Sequence, residues 1–459
     1  MQVSKTKITD FTQGNITKQL TVFAWPLLLS NILQVVYSMV DMVIVGNVAG
    51  EAGLAGVTVG GEVTSLITNM SMGFASAIQV LIARYIGARE NEKIGRFVGT
   101  SSAFLIVFSI AMSILGIAIQ TPMLKLMNTP AEAYEGALAY STVCLLGLVF
   151  IYGYNIVSAI LRGMGDSKHP MLFIAIAAVM NLILDVIFVI YMDLGALGAA
   201  LATVISQATS FILCTVFLVM HKSQFELNIT RRDFFHWDKE MLSDFLKLGM
   251  PMAIKFSAIS ISKLFVNSWI NAYGVVVSAF AGVANKLATV GILFSNSMNA
   301  AGSTMVGQNI AAGKFGRVRR ILLTLLAVTM FFVVIFSLIY ALVPEAVIGL
   351  FTDSVDVIAL AREYIPIAVI MFIGCSPRAT LNALMNGSGN SKINFVTAIL
   401  DSFVVRIGLS VLFGIVMEMG YMGFWLGDAI AGYTPVVVGM VFYLSGSWKK
   451  SAKLATDET

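Results

Sequence analysis

The stretch Leu161-Arg162-Gly163-Met164-Gly165-Asp166-Ser167-Lys168 recurs as Leu384-Met385-Asn386-Gly387-Ser388-Gly389-Asn390-Ser391-Lys392, its Gly-x-Gly-[Asp/Asn]-Ser-Lys core offset by 224 residues. Two further matches sit near that offset. Trp25-Pro26 corresponds to Met250-Pro251, and Ile82-Ala83-Arg84-Tyr85-Ile86-Gly87-Ala88 to Val306-Gly307-Gln308-Asn309-Ile310-Ala311-Ala312. Glycine-rich basic turns are common in membrane proteins, but three matches in one order at one offset indicate an internal duplication. Each copy contains six apolar stretches. An even number of membrane crossings makes the two halves point the same way, related by a pseudo-twofold axis along the membrane normal.

The mean hydropathy of +0.87, with only 12% of the 459 residues charged, leaves too little charge to coat a soluble protein. About 20 apolar residues cross the ~30 Å hydrocarbon core as a helix. The predicted spans are 20–46, 53–83, 97–119, 133–160, 170–191 and 194–220 in the first half. In the second they are 245–272, 275–308, 321–343, 357–384, 391–416 and 420–446. All should be helices, because lipid cannot satisfy the backbone of an open sheet. The expectation is an all-α membrane protein with twelve transmembrane helices in two pseudo-symmetric six-helix bundles. Residues 1–220 form the N-terminal lobe, 221–244 a polar cytoplasmic linker and 245–459 the C-terminal lobe.

Lys and Arg concentrate on cytoplasmic flanks. Sorted by connection, 22 of the 29 basic residues fall on the side shared by both termini, from Lys5, Lys7 and Lys18 through Arg231 and Arg232 to Lys449, Lys450 and Lys453. The opposite side carries only Lys125 and Arg362, among acids such as Glu51, Asp193 and Glu418. Both termini are therefore expected in the cytoplasm, with the chain multi-pass in the plasma (inner) membrane. The net charge of +4 and the pI near 8.8 follow from the cytoplasmic loops and suit anionic lipid head groups rather than nucleic acid. The first apolar stretch is too long for a signal peptide and should remain as a span. Cys144, Cys214 and Cys375 fall inside spans as small hydrophobes and imply no disulfide framework.

An ionised carboxylate in hydrocarbon costs about 2.5–3.5 kcal/mol on insertion scales. Asp41 and Asp185 must therefore be protonated, ion-bound, hydrogen-bonded or facing a wet cavity. Spacing favours a cavity. Asn31, Gln34, Ser38 and Asp41 share one face of the first span, and Glu62, Ser65, Asn69, Gly73 and Ser76 one face of the second. Asn181 lies one turn before Asp185, and the sixth span presents Thr203, Ser206, Gln207 and Ser210. Convergence of four polar stripes on one hydrated pocket is the economical reading. The competing reading, polar locks between helices, gives weak compensation at about 0.6 kcal/mol per contact. Gln34, Tyr37, Ser38, Asn69 and Met70 are expected to line a substrate cavity, and Asn155 is a further candidate in ion coupling. Lys255, Lys263, Lys286, Arg378 and Arg406 lie in or near the C-terminal spans with Asp401 and Asp428, where structural ion pairs are expected.

The ordered set Trp25-Pro26, Met39-Val40-Asp41-Met42-Val43-Ile44-Val45-Gly46, Leu161-Arg162-Gly163-Met164-Gly165-Asp166, Asn181-Leu182-Ile183-Leu184-Asp185, Ala196-Leu197-Gly198-Ala199-Ala200 and Val306-Gly307-Gln308-Asn309 resembles multidrug and toxic compound extrusion (MATE) transporters of bacterial type. The likeness spans all twelve helices. It implies two lobes around a central cavity and cation-coupled efflux of amphipathic, often cationic compounds. In one branch of the family, H⁺ or Na⁺ binds in the N-terminal lobe at positions that fall here on Asp41, Asn181, Asp185 and Thr203. Another branch uses acids in the C-terminal lobe, where this chain has Lys255, Ile259, Lys263 and Arg378, so the DinF-like branch fits better. The resemblance also makes Pro26 a hinge of the first helix.

No Gly-x-x-x-x-Gly-Lys-[Ser/Thr] pattern occurs, so an ion gradient rather than ATP is the expected driver. The expected protein is a monomeric secondary antiporter working by alternating access on a small amphipathic or cationic molecule. It takes no cofactor beyond the coupling H⁺ or Na⁺ and no other metal. A lipid-linked saccharide flippase of the same superfamily is the alternative. An intramembrane enzyme is disfavoured, since His169, His221 and His236 all fall in predicted loops and no His-Glu-x-x-His pattern exists.

Overall fold

A computed structural model describes residues 7–127, 129–230, 233–234 and 237–451. Lys5, Arg231, Arg232, His236 and Lys453, named above, lie outside the described residues. The first half consists of α1 (Ile16–Ala88), α2 (Asn91–Leu126), α3 (Ala131–Leu146), α4 (Leu148–Gly163), α5 (Lys168–Tyr191) and α6 (Gly195–Met220). The second consists of α7 (Lys239–Asn271), α8 (Val275–Ala311), α9 (Phe315–Leu342), α10 (Ile365–Gly387), α11 (Ser391–Val416) and α12 (Gly420–Leu444). Two of these need counting with care. The helix α1 is 73 residues long and breaks at Gly50 (φ 65°, ψ −164°), so it makes two crossings. Helices α3 and α4 meet at a 50° bend and make one. The described residues thus contain twelve crossings.

The positive φ at Gly50 explains the break, because a side chain there would strain the backbone. Most helices overrun their hydropathic windows by several residues, since backbone hydrogen bonding continues into the head-group region after apolar character stops. One predicted span is corrected. The stretch 357–384 is a short helix, Val355–Glu363, followed by α10. Pro366 near the start of α10 has no amide proton to continue the preceding helix. Large side chains such as Val43, Ile114, Val179, Phe331 and Val437 are more than half exposed, as expected of faces turned to lipid.

Contacts divide the chain into two compact units. One is Trp25–Ala253 with the segment ending at Asp10; the other is Phe11–Ala24 with the chain from Ile254 onward. Set beside the expected partition at 220 and 244, the polar segment packs on the first unit. Phe225 and Leu227 are buried, and an added Cβ at Gly95 would meet the Asn228 carbonyl oxygen at 2.6 Å. The chain passes between units at Asp10/Phe11, Ala24/Trp25 and Ala253/Ile254, the last two beside the matching prolines Pro26 and Pro251.

The repeated motif has one geometry in both halves. Gly165 (φ 86°) and Gly389 (φ 69°) each end a helix in the left-handed region. Two residues upstream, a Cβ on Gly163 would lie 2.9 Å from the Gln79 carbonyl oxygen, and one on Gly387 would lie 2.8 Å from that of Ser303. The next helix is then capped. Asp166 Oδ1 accepts from the amides of Lys168 and His169, and Asn390 Oδ1 from that of Ile393. The third matching segment binds the chain near its start. In the second unit, the amide of Phe11 donates to Gln308 Oε1 (2.8 Å), while Asn309 Nδ2 and Arg317 Nε donate to the Phe11 carbonyl. Arg317 also donates to the carbonyls of Gly14 and Gln13, so residues 11–14 are strapped down by backbone recognition.

Candidate functional site

Four helices of the first unit line a half-open cavity of about 210 Å³. The first leg of α1 contributes Gln34 and Tyr37, and its second leg Thr64, Ser65, Thr68 and Met72. Tyr140 and Cys144 come from α3, Tyr154 and Asn155 from α4, and Thr203 and Gln207 from α6. The helical spacing of 34/37, 64/68, 140/144 and 203/207 gives each stripe one face. Gln207 Nε2 donates to the Tyr37 hydroxyl at 3.2 Å, and Asn155 Nδ2 to Ser71 Oγ at 2.9 Å. Drug-sized pockets run to about 300–1,000 Å³, so this space suits water and ions better than a whole drug.

Next to the cavity lie the buried acids. Asp41 is 5% exposed, Asn181 2% and Asp185 0%. Asp41 interacts electrostatically with Tyr37, Tyr140 and Cys144 on the cavity wall and with Asp185. Asp41 Oδ1, both carboxylate oxygens of Asp185 and both amide atoms of Asn181 are buried without a hydrogen-bond partner. None of the salt bridges among the described residues involves either aspartate. An unpaired buried carboxylate costs several kcal/mol, of order 3 or more. Two together with no counter-charge form an acceptor set that a proton or a hard cation would satisfy. Immediately after Asp185, residues Val186–Tyr191 widen to a π-type turn, a local geometry often found at functional sites.

Other residues picked out from the sequence fall as follows. Ser38 is exposed, Asn69 and Met70 are half-buried, and none of the three lines this cavity. Glu62 is exposed on the second leg of α1. Pro26 is buried within α1, where its carbonyl accepts from the Ser30 hydroxyl at 2.8 Å. Sequence patterning missed Tyr140 and Tyr154. They sit on the two sides of the bend at Gly147, which scrambles any single helical period across that span. In the second unit the expected ion pairs form for the arginines only: Arg406 Nη2 bonds Asp401 at 2.8 Å, Arg406 Nη1 bonds Asp428, and Arg378 Nη2 lies 3.4 Å from Asp401. Lys255, Lys263 and Lys286 are in none of the salt bridges among the described residues.

Comparison with known proteins adds the following. The family model MatE matches residues 26–187 and again 251–412, one match per half. The chain is 28% identical over 452 residues to the probable multidrug resistance protein YpnP of Bacillus subtilis, covering 98% of this chain and all of that one. It is 23% identical to the probable multidrug resistance protein NorM of Thermotoga maritima, over 96% of this chain and 95% of that one. Among solved structures, a MATE protein crystallised in the bent conformation superposes with a TM-score of 0.87 at 25% identity, covering 97% of this chain and 100% of the other.

Proposed function

This chain belongs to the MatE family, and from that premise we propose that it is a secondary antiporter of the plasma (inner) membrane, with both termini cytoplasmic. It exports small amphipathic, mostly cationic drugs or toxic metabolites in exchange for H⁺ or Na⁺. The supporting relatives are named for multidrug resistance, and none of those names describes an enzyme. One observation carries the reading: the carboxylates of Asp41 and Asp185 are buried with orphaned oxygens beside a polar cavity, and neither has a salt-bridge partner among the described residues.

Asp41, Asp185, Asn181 and, from the cavity wall, Thr203 are the coupling ligands. Their ligating atoms are all oxygen, the carboxylates with the Asn181 carbonyl and the Thr203 hydroxyl, which suits either a proton or Na⁺. Asn155 and Gln207 order water in the vestibule that the coupling ion crosses. Each ion loaded cancels one of the pair's two negative charges, relieves the repulsion between the two acids and changes the packing of α1 against α5. Pro26 gives α1 a point of weak backbone hydrogen bonding at which to bend. Affinity for a cationic passenger falls once the carboxylates are neutral, and access then alternates between the membrane faces. Each net charge carried inward through 100 mV supplies about 2.3 kcal/mol, enough for roughly a 50-fold gradient, whereas a one-for-one swap of monovalent cations moves no net charge and runs on the concentration gradient of the coupling ion.

Efflux of an ethidium-type cation from proteoliposomes, under an imposed pH gradient or an imposed sodium gradient, tests this reading. Whichever gradient drives transport identifies the ion, and Asp41→Asn should abolish accumulation. Export against a gradient by the Asp41→Asn protein would remove Asp41 from the mechanism.

A further inference from the structure

The buried charges of the second unit do not balance. Lys255 and Lys263 on α7, Arg378 on α10 and Arg406 on α11 face two carboxylates, Asp401 and Asp428. Arg406 bonds both acids, and Arg378 approaches Asp401 at 3.4 Å. Lys255 is satisfied by a neutral group, its Nζ donating to Asn382 Oδ1 at 2.7 Å. Lys263 makes no hydrogen bond or ion pair among the described residues, and it lines two adjoining hollows of about 40 and 20 Å³. Arg378 and Arg406 line the larger hollow and Val266, Ile270, Tyr364 and Trp425 the smaller, while Asp428, bonded by Arg406, lines both.

Surplus positive charge in an enclosed, weakly polar place draws in an anion. The geometry narrows which one. A planar guanidinium beside an ammonium matches a carboxylate, which can take both fork and point-charge donors. The larger hollow has room for a head group only, and a carbon skeleton attached to it would have to part the aliphatic and aromatic wall of the smaller. We propose that the C-terminal unit holds a binding site for an organic carboxylate, with Lys263 and Arg378 as its ligating cations. Asp401 and Asp428 hold Arg406 in place and keep the site selective for one negative charge. This site is separate from the acid pair of the first unit, and neither its existence nor its test depends on which ion couples transport.

Calorimetric titration of the full-length protein in detergent micelles, in chloride-free buffer, tests the proposal with benzoate as the probe. Benzyl alcohol serves as the uncharged counterpart and chloride as the inorganic anion. Benzoate should bind saturably and at least tenfold more tightly than either. Lys263→Gln and Arg378→Gln should each weaken benzoate at least tenfold, and Lys263→Arg should restore it; a thermal melt of each variant confirms folding. Equal binding of benzyl alcohol would overturn the proposal by showing a merely apolar site. Chloride binding as tightly as benzoate would overturn it in favour of a halide site, as would benzoate affinity unchanged in both glutamine variants.

Discussion

Replacing Arg406 by Met should be among the most damaging single changes in the second unit. The side chain is 1% exposed, and among the described residues it alone bonds both Asp401, at 2.8 Å, and Asp428. Asp401 is fully buried, so its remaining partner would be Arg378 at 3.4 Å. Breaking a buried pair while leaving one charge behind costs about 3–5 kcal/mol. Asp428 is 31% exposed, so solvent screens its loss, and Asp428→Asn should cost only about 1 kcal/mol. The double variant Arg406→Met/Asp401→Leu removes the stranded carboxylate and should recover at least half of the single-variant loss. Reversible unfolding in mixed micelles, titrated with sodium dodecyl sulfate and followed by tryptophan fluorescence, gives all three values. An Arg406→Met cost below about 1 kcal/mol, or simple additivity in the double variant, would refute the view that this network bears on stability.

Other expectations can be checked alongside. Gly73→Val should lower the melting point by a stability loss of about 1–3 kcal/mol, because its Cβ would fall 2.3 Å from the Ala253 Cα, where backbone cannot step aside; an unchanged melt would contradict that contact. Asp185→Asn should end gradient-driven accumulation in proteoliposomes while leaving the melting temperature equal or higher, since a buried unpaired charge is removed. Arg317→Ala should raise hydrogen exchange about tenfold in residues 11–14, since it holds the carbonyls of Phe11, Gln13 and Gly14, with little change elsewhere.

Much of the molecule was legible beforehand because the bilayer restricts the options. Lipid forces long apolar helices, and a repeated turn at a fixed offset discloses duplication, so the twelve crossings and the two like halves follow from composition and spacing. The acids Asp41 and Asp185 could be singled out for the same reason: hydrocarbon makes any carboxylate conspicuous. Breaks within spans were harder to read. Gly147 and the Tyr364-Ile365-Pro366 junction lie in continuously apolar sequence, and a hydropathy window averages over them. The cavity wall was half visible, through the stripes at Gln34, Thr203 and Gln207, while Tyr140 and Tyr154 carried no periodic signal.

Sequence alone settled environment, helix count, duplication and the presence of expensive buried charge, because these depend on residue type and linear spacing. Tertiary structure decided which charges meet. Asp401 and Arg406 are five residues apart and would diverge on an ordinary α-helix, but the widened turn at Leu400–Ile407 lets them bond. It also decided that residues 11–14 are gripped by Gln308, Asn309 and Arg317, nearly three hundred positions away. Contacts of that kind depend on how helices bend and pack, and linear spacing carries no record of it.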